Sequence, residues 1–156
     1  MRRIPPVRAS GTIQSLFRVV VGFLFACHGA AALFGILGGA HGQPGGAVPF
    51  GDWPSWWAAV IQLAGGALVA LGLGTRTAAL ICSGSMAYAY FTVHQDNGML
   101  PIENGGELAA LYSWLFLLIV VLGPGSIALD SCRQRHRPSP AESVALRLGS
   151  LVTANK

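Results

Sequence analysis

The sequence predicts an all-α integral membrane protein, an antiparallel four-helix bundle with its N-terminus and C-terminus both cytoplasmic. Three observations predict it: four apolar stretches of membrane-spanning length, a scarcity of charge, and cations confined to alternate connections. Only 10% of the 156 residues are charged and 53% are hydrophobic, whereas a soluble domain is usually about 25% charged. A soluble fold of this size has too much surface to cover with so few charges, so lipid is implied as the surrounding solvent.

A span needs about 20 mostly apolar residues, with roughly 17–25 tolerated. The stretches that qualify are about 16–37, 56–73, 77–93 and 108–127. The first is interrupted only by Arg18 at its entry and by His28. Glycine, proline and polar residues mark the breaks: 38–46 with 50–54, then Gly74-Thr75-Arg76, the polar segment 94–106, and Gly123-Pro124-Gly125. The expected organisation is a basic cytoplasmic segment (1–15), a four-span domain (16–130) and a basic cytoplasmic tail (131–156).

Orientation follows from the cations. Arg2, Arg3, Arg8 and Arg18 lie at the start of span one, and Arg76 lies in the second connection. Arg133, Arg135, Arg137, Arg147 and Lys156 follow span four, and the first and third connections hold no Lys or Arg. Four spans put every cation on one side, which is the cytoplasmic side. Asp52, Asp96, Glu103 and Glu107 fall towards the other side, where Trp53, Trp56 and Trp57 would form an aromatic belt. Arg18 within the run and its apolar continuation to residue 37 favour an uncleaved span over an export signal cut near Ala30-Ala31-Ala32. The expected location is the plasma membrane of a bacterial-type cell, crossed several times.

Other classes are excluded by distribution. The net charge is +4, but its cations flank apolar segments and do not gather on a soluble basic face, so no nucleic-acid partner is expected. Cys27, Cys82 and Cys132 form no CxxC pair, so neither a dithiol centre nor a metal site is expected. Small residues recur at four-residue spacing in Gly22, Ala26, Ala30; in Gly66, Ala70, Gly74; and in Ala79, Ser83, Ala87. Such stripes let helices approach within the bundle or, alternatively, along a homo-oligomer seam. In the tail, Ser139-Pro140-Ala141-Glu142 resembles a helix start and Val144, Leu148, Leu151 and Val152 share one face, which suggests a short amphipathic helix on the membrane surface.

Ionisable groups inside spans point to function by default. His28 lies ten residues past Arg18, roughly 15 Å further along a helix. Its imidazole could bind a carbonyl, shuttle a proton, ligate a metal, or simply bond a neighbouring helix. Gln62, entering span two from the other side, falls at a similar depth and could satisfy His28. Tyr88, Tyr90 and His94 lie along the outer half of span three. Glu107 opens span four and, with Asn104, reads as a helix-start pair with Asn104 as N-cap and Glu107 as N3. Tyr112 lies just over a turn further on. Arg76 is expected as an interfacial anchor and Asp130 as the partner of a nearby cation. His28 and Glu107 are the candidate catalytic, proton-exchanging residues; Gln62, His94 and Tyr112 are the candidate ligand contacts.

Four fragments in order carry a family resemblance: Arg18 with His28-Gly29; the run Gly65-Gly66 through Leu71-Gly72-Leu73-Gly74-Thr75-Arg76; Met86-Ala87-Tyr88-Ala89-Tyr90-Phe91 with His94; and Asn104-Gly105-Gly106-Glu107 through Tyr112, followed by Gly123-Pro124-Gly125-Ser126-Ile127-Ala128-Leu129-Asp130. The chain resembles the DoxX family over residues 18–130. The resemblance implies a four-helix membrane protein linked to sulfur and oxidative-stress metabolism, in a family where some members are described as subunits of a thiosulfate:quinone oxidoreductase. Two departures stand out: Gln62 where members often carry Glu, and Ala31 and Ala32 where many have a Lys after the His-Gly pair.

The expected function is therefore a membrane subunit of a redox system, with a quinone or another small redox ligand in the outer half of the bundle. The chain has no CxxCH, dinucleotide glycine motif or dithiol, so electrons would pass through a soluble or membrane partner protein. A non-catalytic anchor recruiting soluble redox enzymes through the tail, or a small oligomeric transporter, are the alternatives from other classes.

Overall fold

The computed structural model describes residues 7–130, and every regular element among them is helical. α1 (Val7–Phe34) leads through a connection with one 3-10 turn (Ala40–Gly42) to α2 (Ser55–Leu71), and a tight turn leads to α3 (Thr75–Ala89). A π-helical turn (Tyr90–His94) continues α3, a 3-10 turn (Gln95–Asn97) follows, and α4 (Pro101–Asn104) precedes α5 (Glu107–Leu122). Cys132 and the predicted tail helix lie outside the described residues.

The helix ends differ from the predicted spans for local reasons. α1 begins well before residue 16, because its polar first turns are held by the segment after α5. Gly11 O accepts the Ser126 N–H at 3.3 Å, and the Gln14 amide donates to the Leu122 and Gly123 carbonyls at 2.8 and 2.9 Å. α1 stops at Phe34 rather than near 37, since the Ala32 carbonyl is taken by Val48 N–H at 2.8 Å. α5 ends at Leu122, short of 127, because Pro124 disfavours helical geometry at Gly123, which lies at φ 85°.

The turn between α2 and α3 is a Schellman closure. Gly72 N–H bonds to Val69 O at 3.1 Å and Leu73 N–H to Leu68 O at 3.0 Å. Gly72 sits at φ 76°, and a Cβ there would lie 2.7 Å from Ala128 Cβ and 2.9 Å from an Arg18 nitrogen. Both its conformation and its surroundings demand glycine.

The helices pack as two close pairs, α1 on α2 and α3 on α5, joined through α2 and α3. Members of the small-residue stripes take part in these contacts inside the bundle. A Cβ on Gly22 would lie 2.6 Å from Ala70 N, and one on Gly66 would lie 2.6 Å from Ala26 N, so the α1 and α2 backbones touch. Across the other pair, Ser83 Oγ donates to Ser113 O at 2.8 Å. Between the pairs, Phe25 meets Phe116 and Tyr112 with ring centroids at 4.6 and 5.0 Å. Val69, Cys82, Met86 and Ile119 complete that core.

Arg18 is buried, 1% exposed. Its Nε donates to Pro124 O at 2.9 Å, Nη2 to Ile127 O at 2.7 Å, and Nη1 to the carbonyls of Val69 and, at 2.8 Å, Ala70. One guanidinium thus closes the last turn of α2, where the helix dipole is negative, and pins the segment after α5. Beside it Asp130 accepts the Thr75 N–H at 3.4 Å, and Asp130 N–H reaches Gly72 O at 3.0 Å. Asp130 also interacts electrostatically with Arg18, whereas Arg76 is exposed over Gly123.

Within α1, the 25 residues Ser10–Phe34 are long and apolar enough to cross a membrane. α2 and α5 are apolar over 17 and 16 residues, or roughly 25 Å each at 1.5 Å per residue. Large apolar side chains face outward around the bundle, among them Phe23, Leu71, Trp114 and Val121.

Arg18→Met keeps a long apolar side chain but strands the carbonyls of Ala70, Pro124 and Ile127, so it should destabilise the protein by about 3–5 kcal/mol, read as a lower midpoint in detergent unfolding. Gly66→Val should separate α1 from α2 and abolish the cooperative transition. Gly84→Ala, at a position where a Cβ meets nothing within 4 Å, should leave the midpoint unchanged or slightly raised.

Candidate functional site

At the end of the bundle away from Arg18, the two helix pairs enclose a cavity of about 800 Å³. That is within the range of sites for small organic ligands. Its walls come from the second half of α1, the first half of α2, the second half of α3 with its π turn, and the start of α5. Trp53, Trp57, Met86 and Tyr88 line it, with Trp53 and Tyr88 at a centroid distance of 6.4 Å.

Four of the five sequence-predicted site residues line this one space: His28, Gln62, His94 and Tyr112. His28 is exposed towards it and stands edge-on to Tyr112, with ring centroids 5.9 Å apart. The expected His28–Gln62 hydrogen bond is not formed. The polar atoms of His28, Gln62 and Tyr112 have no hydrogen-bond partner among the described residues. They can therefore offer an imidazole, an amide and a phenol to an occupant, on walls that are mostly apolar.

Glu107 is not among the lining residues, although its neighbours Gly105 and Leu108 are. It is exposed and is the first residue of α5, with Gly106 as N-cap. The predicted pairing of Asn104 as N-cap with Glu107 as N3 is therefore corrected. Asn104 ends α4, and Gly105, left-handed at φ 68°, separates it from α5. The Asn104 side chain is buried and closes the connection instead. Its Oδ1 accepts the Gly106 N–H at 2.8 Å, and its Nδ2 donates to Gly98 O at 2.9 Å.

This connection holds His94. The ring nitrogen His94 Nδ1 lies 3.2 Å from the Asn104 carbonyl. The π turn brings His94 there: Gln95 N–H bonds back five residues to Tyr90 O, widening the helix where it meets the cavity. Such π segments concentrate at functional sites. Gly106 packs against both residues, where a Cβ would lie 2.8 Å from the Tyr90 ring and 2.9 Å from His94 Cβ.

The tryptophans read from sequence as an aromatic belt are partly a cavity wall, and Gly84 and Ser85 join the lining with no motif to announce them. Asn104 was legible only as a capping residue, because its real task depends on the fold of the 94–106 connection. Among the described residues no cluster of His, Cys, Asp or Glu could hold a metal ion.

The fold and site define a small helical protein whose first helix is long and apolar enough to cross a membrane and whose described residues surround a ligand-sized, mostly apolar cavity. The chain belongs to the DoxX family, whose model matches residues 13–95. The match includes Arg18, His28, Gln62 and His94 and stops before Asn104 and Tyr112. The family is membrane-associated. The chain is 45% identical over 120 residues to an uncharacterized protein of Haemophilus influenzae, covering 75% of this chain and 87% of that relative. A second uncharacterized protein of the same organism is 28% identical over 72 residues, 46% of this chain and 48% of its own length. No solved structure matches.

Because the Tyr112 hydroxyl has no protein partner, Tyr112→Phe should shift the unfolding free energy by less than about 0.5 kcal/mol. Phe116→Ala, at the fully buried ring beside it, should cost about 3–5 kcal/mol. Detergent unfolding of both variants checks the contrast.

Proposed function

We propose that this chain is the membrane subunit of a redox system and that its cavity binds the head of a lipid-soluble quinone. The carrying observation is an apolar, aromatic space of about 800 Å³ in which His28, Gln62 and Tyr112 present polar atoms without protein partners. A quinone head is a flat apolar ring with two carbonyl acceptors. The phenol of Tyr112, the amide of Gln62 and an imidazole N–H are matching donors.

In the same proposal the bundle crosses a bacterial plasma membrane four times with both termini inside. α1 has the length for it, and the shorter α2, α3 and α5 run antiparallel around it. The outward apolar residues meet lipid, and the cavity lies in the outer half. Gln62, where relatives often have Glu, can bond the ring but cannot carry a proton. Proton exchange falls to His28, and Glu107, exposed beside the cavity lining, passes protons to water. Electrons come from a partner protein, a reading supported by a sequence without a CxxCH, a dinucleotide glycine motif or a dithiol.

Purified full-length protein in nanodiscs should bind a short-chain benzoquinone saturably. Gly84→Leu should fill the cavity without meeting backbone and weaken binding at least about tenfold. His28→Ala should weaken it by about threefold to tenfold, the value of one hydrogen bond. Reporter fusions should place the C-terminus inside and the 94–106 connection outside. Absence of saturable binding, together with loss of partner proteins from native membranes on deleting residues 131–156, would favour the anchor function instead.

A further inference from the structure

We propose that Asn104 is a positioning residue that holds His94 as its Nδ1–H tautomer, so that the cavity recognises the hydroxyl-bearing, reduced form of its ligand through His94 Nε2. This deepens the quinone-binding proposal and rests on it.

A main-chain carbonyl only accepts hydrogen bonds. With the Asn104 carbonyl 3.2 Å from Nδ1, that nitrogen must carry the proton. In a neutral imidazole the other nitrogen is then a bare acceptor. His94 lines the cavity, and its Nε2 has no hydrogen-bond partner among the described residues.

The other cavity groups differ from this. Tyr112 and Gln62 can donate, and His28, with no protein bond to fix its tautomer, can do either. All three can therefore serve a carbonyl or a hydroxyl. Of these four groups His94 is the one whose role the protein imposes, and a bare acceptor discriminates. It gains a bond from a phenolic O–H and faces a carbonyl lone pair to lone pair. A site of this kind prefers a hydroquinone to the matching quinone.

The carbonyl that sets the tautomer is itself held by the buried Asn104 side chain. The side chain bonds Gly98 on one flank and Gly106 on the other, and Gly106 packs on His94 Cβ. Asn104 thus acts on the ligand through His94, without lining the cavity itself.

The test uses full-length protein in nanodiscs, with an alkyl hydroquinone, its benzoquinone and its dimethyl ether as probes. The expected wild-type order is hydroquinone tightest, by about threefold to tenfold over the other two, the value of a single neutral hydrogen bond. His94→Phe should erase that preference by weakening hydroquinone binding to the level of benzoquinone. Asn104→Ala should also erase it, and Asn104→Asp, which keeps the Oδ1 acceptor for Gly106, should restore part of it. A purely structural role would lower the affinity for all three probes together. Nitrogen-15 NMR of histidine-labelled protein, with His94 assigned by difference against H94F, should show a protonated Nδ1 and a bare Nε2 that change in N104A. An Nε2–H tautomer or an imidazolium overturns the inference, as does equal affinity for hydroquinone and dimethyl ether. Binding of none of the probes overturns this inference and the quinone-binding proposal together. Equal binding of hydroquinone and quinone overturns this inference alone.

Discussion

A single guanidinium organises the end of the bundle opposite the cavity. Arg18, buried on α1, donates to the carbonyls of Val69, Ala70, Pro124 and Ile127. An unpaired cation in an apolar surrounding is expensive, and removing its charge from water is tolerable only when every N–H finds an acceptor. Here the acceptors are main-chain carbonyls in need of donors, of which Val69 O also takes the Gly72 N–H at 3.1 Å. Two belong to the last turn of α2, whose carbonyls lack helical partners, and two belong to the irregular segment after α5. The cation and these carbonyls solve each other's problem. Arginine suits the place because its planar fork reaches acceptors on several segments at once, which a lysine point charge cannot do.

That tether explains the polar positions around it. Gln14 and Ser15 lie on the same stretch of α1 and bond the same segment; Ser15 Oγ accepts the Ile127 N–H at 3.0 Å. Asp130 then joins the segment to the start of α3 through Thr75. The Gly72 turn must be glycine both to close α2 and to leave room for Arg18 and Ala128. With α1, α2, α3 and the chain after α5 fixed together at this end, the helix pairs can part at the other. The cavity opens there, floored by Phe25 and Tyr112 of the shared core. Rigidity at one end is what permits space at the other.

The cavity end is built differently. Its walls are helices, but the group with the most defined chemistry, His94, is set by a connection: a π turn, a left-handed Gly105 and a buried Asn104. Hydrogen bonds within 94–106 hold it, not the apolar packing of the core. The donors on the facing helices, Gln62 and Tyr112, have no hydrogen-bond partner for their polar atoms among the described residues.

Much of this was legible in the sequence, because it rests on patterns that repeat along the chain. The four apolar stretches predict the four long helices, Gly72 to Gly74 marks the tight turn, and the stripes through Gly22 and Gly66 mark the α1–α2 contact. His28, Gln62, His94 and Tyr112 stood out because polar groups are rare in apolar runs, and all four line one cavity. The burial of Arg18 could not be read, since its partners are main-chain carbonyls that leave no mark on residue identity. At the edge of an apolar run it looked like a flanking charge. For the same reason Asn104 looked like a helix cap: an Asn before Gly-Gly-Glu fits that local pattern, and its bonds to Gly98 and Gly106 exist only once the connection has folded. The early start of α1 was also beyond local reading, because its first turns are held by the segment after α5. Composition and periodicity therefore determine which segments are helical and which groups are unusual. Which of those groups are satisfied, and which are left facing a cavity, depends on long-range main-chain hydrogen bonds that no residue pattern encodes.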